Sequence, residues 1–181
     1  ARCVTRKRWP HGVGDDSFIE KNAPGGTPSW VRTVSVPTSG SRTGEGPGTI
    51  RFPVVDDLAT LTWLANLSAL ELHVHQWWVD AADVPQPPDR LVIDLDPGEP
   101  AGLGECAQVA LGVAEALAAR GLVCLPVTSG SKGLHLYAPL RAEHGVDSSD
   151  EATALAKEVA DELQVEMKGL VTATMSKARR R

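Results

Sequence analysis

The chain has few cysteines, no long apolar run and no methionine at its start. Its three cysteines, Cys3, Cys106 and Cys124, are widely separated and form no Cys-x-x-Cys pair. This pattern favours reduced thiols in a cytoplasmic protein over disulfides or a zinc site. No stretch approaches the roughly 20 apolar residues of a membrane span, and the basic N-terminus lacks the apolar segment of a signal peptide. The missing initiator methionine suggests a piece of a longer chain.

The net charge of −5 conceals a strong asymmetry along the sequence. Residues 1–51 carry 8 Lys and Arg against 4 Asp and Glu, whereas residues 52–131 carry 2 against 11, and residues 132–181 carry 8 of each. An acidic middle between basic ends is compatible with a cation-binding centre that has anion-binding margins. Composition alone favours a solvated acidic surface instead, so the motifs must decide.

The order of the predicted elements indicates an α+β fold. Helical spacing of apolar residues follows Asp56-Asp57 and recurs over 102–120 and 152–163. Strands are predicted at 4–9, 70–74, 91–96, 122–127 and 134–138. We therefore expect a single domain over 1–181, with a two-layer mixed sheet-and-helix core. Residues 38–48, rich in Gly, Ser and Thr, predict a flexible hairpin loop.

A pair of aspartates, Asp94 and Asp96, ends the predicted strand at 91–96. Residues two apart in a strand project from the same face, so both carboxylates share one side of the sheet. Oxygen ligands of this kind suit Mg²⁺ or Mn²⁺ bridged to substrate phosphates. An isolated Asp-x-Asp is more often a solvated strand end. The apolar residues around this one predict a buried strand, where an unpartnered carboxylate is costly, and this favours a metal.

A glycine-spaced turn, Ser129-Gly130-Ser131-Lys132-Gly133, precedes the strand that carries His135. Such turns expose backbone N–H groups that can hold phosphate oxygens, although the spacing is not that of a Walker P-loop. Alternation places His135 on the polar face beside the turn, where it can donate to a triphosphate while Lys132 screens its charge. A plain hairpin turn and a structural histidine are the alternatives, and His73 is equally ambiguous.

Several stretches, taken in order, resemble the primase-like polymerase domain of bacterial ligase D, in the archaeo-eukaryotic primase superfamily. They are Val4–Pro10, Phe52–Asp57, Leu61–Asn66, Leu70–His73, Pro88–Gly98 and Thr128–Tyr137. No single stretch is decisive, but the ordered set covers nearly the whole chain. The resemblance implies a template-directed nucleotidyltransferase that extends primers and fills gaps in non-homologous end joining of double-strand breaks.

The same resemblance implies roles for individual residues. Asp94 and Asp96 match the family's first two metal-binding acids, with Mn²⁺ favoured over Mg²⁺. The family's nucleotide site corresponds to Ser129, Lys132 and His135, with His73 as a further active-site histidine. Phe18 falls where an aromatic ring stacks on the template base, although Ile19 replaces a second aromatic. Further DNA contacts are expected from four basic residues of the N-terminal part: Arg6, Lys7, Arg8 and Lys21.

The implied partners are DNA ends with a primer and template, NTP or dNTP, the Ku protein, and ligase and nuclease domains of the same polypeptide. The implied location is the bacterial cytoplasm, at the nucleoid and not at a membrane. The loop at 38–48 matches a hairpin that manages the primer or brings two ends together.

Two departures from the family pattern lead us to expect a chain truncated at both ends. The family has an N-terminal segment whose basic residues hold a 5′-phosphate, and a third metal-binding aspartate in an Ile-Asp-Trp context after the last helix. Here the sequence runs from Thr174 to Arg181 without an acid. With two carboxylates in place of three, we expect weak metal binding and impaired catalysis.

Two other functions stay open from the sequence alone. A non-catalytic nucleic-acid-binding fragment would use the basic ends to hold phosphates. A phosphatase of the haloacid dehalogenase type also places Asp-x-Asp after a strand, but Gly98 stands where that class usually has Thr or Val.

Overall fold

A computed structural model of the chain describes residues 1–38 and 47–172. Antiparallel sheets and three α-helices in these ranges confirm the predicted α+β fold class. The chain divides into two compact units, Ala1–Gln86 and Pro87–Arg181. The single-domain interpretation of 1–181 stays a prediction. Apart from Thr38, Pro47 and Gly48, the loop predicted at 38–48 lies outside the described residues.

The first unit is built on a five-stranded antiparallel sheet of order β2-β1-β4-β3, in which β5 also pairs with β1. Strands β3 and β4 pair from Thr33–Pro53 to Thr38–Gly48, so they are the two arms that lead into the predicted loop. A separate ribbon joins β6 to β7. The elements are β1 (Arg2–Arg8), β2 (Phe18–Glu20), β3 (Thr33–Thr38), β4 (Gly48–Val55), α1 (Leu58–Asn66), β5 (Ala69–Val74) and β6 (Trp77–Val79), followed by β7 (Pro85–Pro88), which begins in this unit and ends two residues beyond it.

Strand β1 contributes to both cores of the first unit, because its side chains alternate between two faces. Cys3 packs with residues of β3, β4 and β6, while Val4 packs with Leu64 of α1 and with Ala69. Helix α1 begins after Asp57, whose carboxylate accepts the Thr60 backbone N–H at 2.7 Å. This sheet therefore has a helix on one side and the β6 ribbon residues on the other.

The second unit is a three-stranded antiparallel sheet, of order β8-β10-β9, covered on one face by two helices. Its buried cluster joins the apolar faces of β8 and β10 to α2 and α3. The elements are β8 (Arg90–Leu95), α2 (Leu103–Ala118), β9 (Leu125–Thr128), β10 (Leu134–Pro139), a 3-10 turn (Ala142–His144) and α3 (Ser149–Glu166).

The strand predicted at 122–127 begins three residues later than expected. Leu122 is buried in the helix core, and its N–H donates to Leu117 O at 2.9 Å, which completes the end of α2. Gly121 has a φ of 76°, the left-handed conformation that glycine favours after the end of a helix. An apolar run can thus belong first to a helix cap and then to a strand. Within 1–38 and 47–172, no helix has the length and apolar character of a bilayer span.

Candidate nucleotide and metal site

Asp94 and Asp96 lie on the open side of the three-stranded sheet. Leu91, Ile93 and Leu95 of β8 point into the helix-covered core, so alternation turns Asp94 to the opposite face. Asp96 follows the last residue of the strand and is also exposed. Two residues apart in extended backbone, their Cα atoms are separated by about 6.6 Å. The two carboxylates therefore share a solvent-accessible edge.

The exposure of Asp94 corrects one step of the sequence argument. Its side chain is 68% exposed, so the cost of burying a carboxylate does not require a cation there. The strand is buried only on the face of its apolar residues, which the sequence pattern could not distinguish from burial on both faces. The case for a metal therefore depends on the arrangement of donors and not on desolvation.

His135 stands directly across from Asp94 in the β8·β10 ladder. Its Nε2 lies 3.3 Å from Asp94 Oδ1, and its ring centroid lies 6.1 Å from that of Tyr137 on the same strand. Leu136, between them, is buried in the core. The predicted alternation of β10 is thus confirmed, and it brings an imidazole to one of the two aspartates.

The turn from Ser129 to Gly133 is closed by its own hydrogen bonds. Ser129 Oγ accepts the N–H of Gly133 at 3.1 Å and that of Ser131 at 3.4 Å, and Ser129 N–H donates to Gly133 O. Gly130 has a φ of 81°, which favours glycine. Lys132 is exposed at the tip. The turn therefore holds a preformed shape with a hydroxyl and an ammonium beside β10.

Gly133 fixes this turn against the end of β8. A Cβ at this position would lie 2.2 Å from Leu95 O, so only glycine allows the two backbones to approach this closely. Since Leu95 is followed by Asp96, the contact sets the turn next to the aspartate pair. Within the second unit, Asp94 and His135 are thus in contact, and the Ser129–Gly133 turn, which carries Lys132, lies against the residue before Asp96.

A buried thiol lies under the same edge. Cys106, in the first turns of α2, has its Sγ 3.8 Å from Leu95 O. Burial, followed by the charges of Asp96 and Glu105, raises the pKa of Cys106 above its ordinary value. The thiol therefore stays neutral near pH 7 and is not a thiolate ligand.

The donors fit a hard divalent cation. Asp94 and Asp96 offer carboxylate oxygens, which Mg²⁺ and Mn²⁺ prefer. Among the residues that the structure describes, no three His, Cys, Asp or Glu side chains form a cluster able to hold a metal ion. A cation bound here would hence take its remaining ligands from substrate phosphates and water.

The remaining predicted residues lie in the first unit. His73 of β5 has its Nε2 2.6 Å from Glu71 Oε1, and Glu71 Oε2 lies 3.5 Å from Lys7 Nζ. His73, Glu71 and Lys7 occupy one face of the β1·β5 ladder, since Thr5 pairs with His73 and Lys7 with Glu71. A nucleotide-binding role for His73 stays a prediction.

Arg6 is interior, which does not fit the DNA contact expected of it. Its side chain is 0% exposed, and its Nη2 lies 2.9 Å from Glu20 Oε2. Burial lowers the pKa of Arg6 from its ordinary value, while the nearby charge of Glu20 opposes that shift. Its Nε and Nη1 are buried and have no hydrogen-bond partner among the described residues. A guanidinium enclosed in this way does not reach a phosphate.

The family profile of the LigD primase-polymerase domain matches residues 1–181. The chain belongs to this family.

Relatives and a solved structure give the same result. The multifunctional non-homologous end joining DNA repair protein LigD of Mycobacterium tuberculosis is 45% identical over 184 residues, 99% of this chain and 23% of that protein. The bifunctional non-homologous end joining protein LigD of Bacillus subtilis is 34% identical over 142 residues, 78% of this chain and 21% of that protein. The chain therefore spans less than a quarter of these curated relatives.

The solved structure is the polymerase domain from Mycobacterium tuberculosis ligase D in complex with DNA. It is 44% identical and superposes with a TM-score of 0.84, over 99% of this chain and 61% of that one. The LigD resemblance and the α+β fold are thus confirmed. The LigD polymerase domains are a family of nucleotidyltransferases that require a divalent metal. Because this chain belongs to that family, the haloacid dehalogenase type of phosphatase has no support.

Two residues of this LigD domain escaped the sequence analysis. Glu20 pairs with Arg6 and Arg8, and Glu71 pairs with His73 and Lys7. Glu71 stands two residues before His73, so strand alternation could have indicated that they share a face. Glu20 is 14 residues from Arg6 in a three-residue strand, and no pattern in the sequence indicates that pairing.

Proposed function

We propose that this chain transfers nucleotides to the primer end of a DNA template, using a divalent cation held by Asp94 and Asp96. The observation that supports this is the open face of the β8-β10-β9 sheet. There Asp94 faces His135 at 3.3 Å, beside the Ser129–Gly133 turn that Gly133 holds against Leu95. Catalysis at such a site depends mostly on positioning and on charge neutralisation.

Each residue of the face has a defined task in this proposal. Mn²⁺ or Mg²⁺ bound by Asp94 and Asp96 would neutralise charge on the triphosphate. His135 donates to a phosphate oxygen, and its contact with Asp94 orients the imidazole ring. Ser129 and Lys132 present a hydroxyl and an ammonium to the remaining phosphates. His73 lies in the first unit, where Glu71 contacts its imidazole, and its nucleotide-binding role is a separate part of the proposal.

The proposed setting is repair of double-strand breaks by non-homologous end joining in the bacterial cytoplasm, at the nucleoid. Primer-template DNA ends and NTP or dNTP are the substrates, and Ku and the ligase and nuclease domains of LigD are the partners. A DNA-bound relative of 44% identity supports the DNA part of this proposal. Lys7, Lys21 and Phe18 are the described residues that we assign to direct DNA contact.

Primer extension tests the role of Asp94. We expect Mn²⁺-dependent extension to fall about 100-fold or more in Asp94→Asn, because one oxygen ligand and its charge are lost. The assay uses a chimaera in which the following segment of the Mycobacterium tuberculosis relative continues after Arg181. The matched control is Asp161→Asn, which changes an exposed acid on α3 and leaves the rate unchanged. Extension that survives Asp94→Asn contradicts the assignment.

A finer proposal concerns the number of carboxylates. No acid follows Glu166 in the sequence, so residues 1–181 by themselves offer the cation Asp94 and Asp96 without the family's third aspartate. We propose that this polypeptide alone extends primers more slowly than the chimaera and requires more Mn²⁺. Equal rates and equal metal dependence in the two polypeptides would show that the third carboxylate is dispensable.

A non-catalytic role in nucleic-acid binding is the alternative outcome of the same assay. Salt-sensitive DNA binding by a chimaera that never incorporates a nucleotide would favour that role over the polymerase. The basic residues of the C-terminal tail, from Lys177 to Arg181, lie outside the described residues.

A further inference from the structure

Arg8 is held by three groups at the end of β1. Its Nε donates to Leu67 O at 2.7 Å, and its Nη1 lies 3.0 Å from Glu20 Oε2. Its guanidinium carbon lies 5.3 Å from the centroid of the Phe18 ring, within the range of a cation–π contact. The side chain is only 18% exposed. Arg8 is thus fixed in place rather than extended into solvent.

The strand register produces this arrangement. Arg8 stands directly opposite Phe18 in the β1·β2 ladder, and Arg6 stands opposite Glu20. Phe18 and Glu20 are two residues apart, so they share a face with Arg8. Glu20 holds the guanidinium through Nη1 while the guanidinium carbon lies over the neighbouring ring.

Lys7, on the same strand, is more accessible to a phosphate than Arg8 is. It projects from the opposite face, is 34% exposed, and has a 3.5 Å carboxylate contact with Glu71. Its Nζ also lies 4.8 Å from the Trp9 ring. A flexible ammonium with this exposure can exchange Glu71 for a phosphate, whereas Arg8 would have to leave a main-chain carbonyl, a carboxylate and a ring.

Phe18 is the surface aromatic ring that Arg8 holds in this arrangement. It remains 45% exposed although Arg8 lies against it. Bases of single-stranded nucleic acid stack on such rings, and the contact depends on how the ring is held. Ile19 is exposed as well, but alternation turns it to the other face of β2, so it does not form a second wall of the same stack.

We propose that Arg8 is a positioning residue for Phe18: it covers one face of the ring and presents the other face to an unpaired template base. Arg8 does not grip phosphate, which revises the expectation drawn from the sequence. This inference rests on the proposed function, because it takes the DNA contact of Phe18 from there. The ligand is a nucleobase of a single-stranded template overhang.

A double-mutant cycle with the 181-residue chain tests the inference. The probe is a DNA duplex with a template overhang whose first unpaired base is 2-aminopurine, since stacking quenches its fluorescence. We expect Phe18→Ala to weaken binding about fivefold or more and to relieve the quenching. Arg8→Met should weaken binding about two- to fivefold in the wild-type background. It should have no further effect once Phe18 is alanine.

Salt dependence separates positioning from phosphate contact. Loss of a phosphate contact on a single strand lowers the slope of log K against log salt by about 0.7. We expect Lys7→Met to lower this slope and Arg8→Met to leave it unchanged. Arg8→Lys is the second variant, in case Arg8→Met folds poorly. It keeps the charge but not the planar fork, so we expect it to lose most of the quenching.

The outcomes separate the inference from the function on which it rests. Additive losses in the cycle, or a lower salt slope in Arg8→Met, overturn the positioning role and make Arg8 a phosphate contact. Full quenching in Arg8→Lys overturns it too. If Phe18→Ala leaves both affinity and quenching unchanged, the DNA contact of Phe18 itself fails, and the role of Arg8 falls with it.

Discussion

Gly133→Ala is the change that most directly tests the architecture of the nucleotide site. The new Cβ would lie 2.2 Å from Leu95 O, 3.3 Å from Leu95 C and 3.5 Å from Pro97 Cδ. Real Cβ contacts are essentially never shorter than 3.0 Å, so the turn and the end of β8 must separate by about 0.8 Å. The opposing atom is main chain, so a side-chain rotation cannot relieve the contact.

Two consequences of that separation can be measured. Overpacking of this kind costs about 1–3 kcal/mol of the free energy of unfolding, which urea titration detects. A shift approaching 1 Å between the turn and the aspartates reduces primer extension about 100-fold, because catalysis depends on positioning. The loss of rate should persist at temperatures where the variant is fully folded.

The matched control is Gly104→Ala in α2. A Cβ there meets nothing within 4 Å, and alanine is a better helix former than glycine, so this variant should be no less stable and equally active. If Gly133→Ala equals the wild type in stability and rate, the turn does not lie against Leu95, and the site as described here is wrong.

Two further predictions concern the first unit. Burial, and then the charge of Lys21, lower the pKa of His75, so stability is fully present above pH about 6.5 and is lost as pH falls below it. Urea titrations should show this fall in the wild type and not in His75→Phe; an equal fall in both contradicts it. Glu20→Ala should cost about 3–5 kcal/mol, because two guanidiniums lose their carboxylate, and Arg6→Met should cost far less. Equal losses would refute that account.

The sequence predicted the second unit better than the first. Alternation predicted that Asp94 and His135 each lie on the polar face of their own strand, and the structure joins them in one cross-strand pair. The first unit contains strands of three and four residues, β2, β6 and β7, which are too short to show a period. Strand β7 is also rich in proline, which an outer ribbon strand tolerates and an internal strand does not.

The burial of Arg6 shows that a basic residue type does not by itself indicate exposure to solvent. Alternation along β1 places Arg6 on the same face as Val4, which packs against Leu64 of α1. That period is visible in the sequence, but the residue types of Arg6, Lys7 and Arg8 predict three equivalent cations. In the structure the three have different environments: an enclosed ion pair, a partly exposed ammonium and a guanidinium against a ring.

One constraint specifies both the core and the site of the second unit. The register that packs Leu134 and Leu136 against the helices also places His135 opposite Asp94. A slip of one residue in the β8·β10 register would turn the leucines to solvent and the histidine into the core. Hydrophobic burial therefore holds the imidazole and the carboxylate together, and neither polar residue needs to contribute to folding. The site can keep Asp94 exposed and His135 partly exposed to a ligand because the opposite face of the same strands supplies the stability.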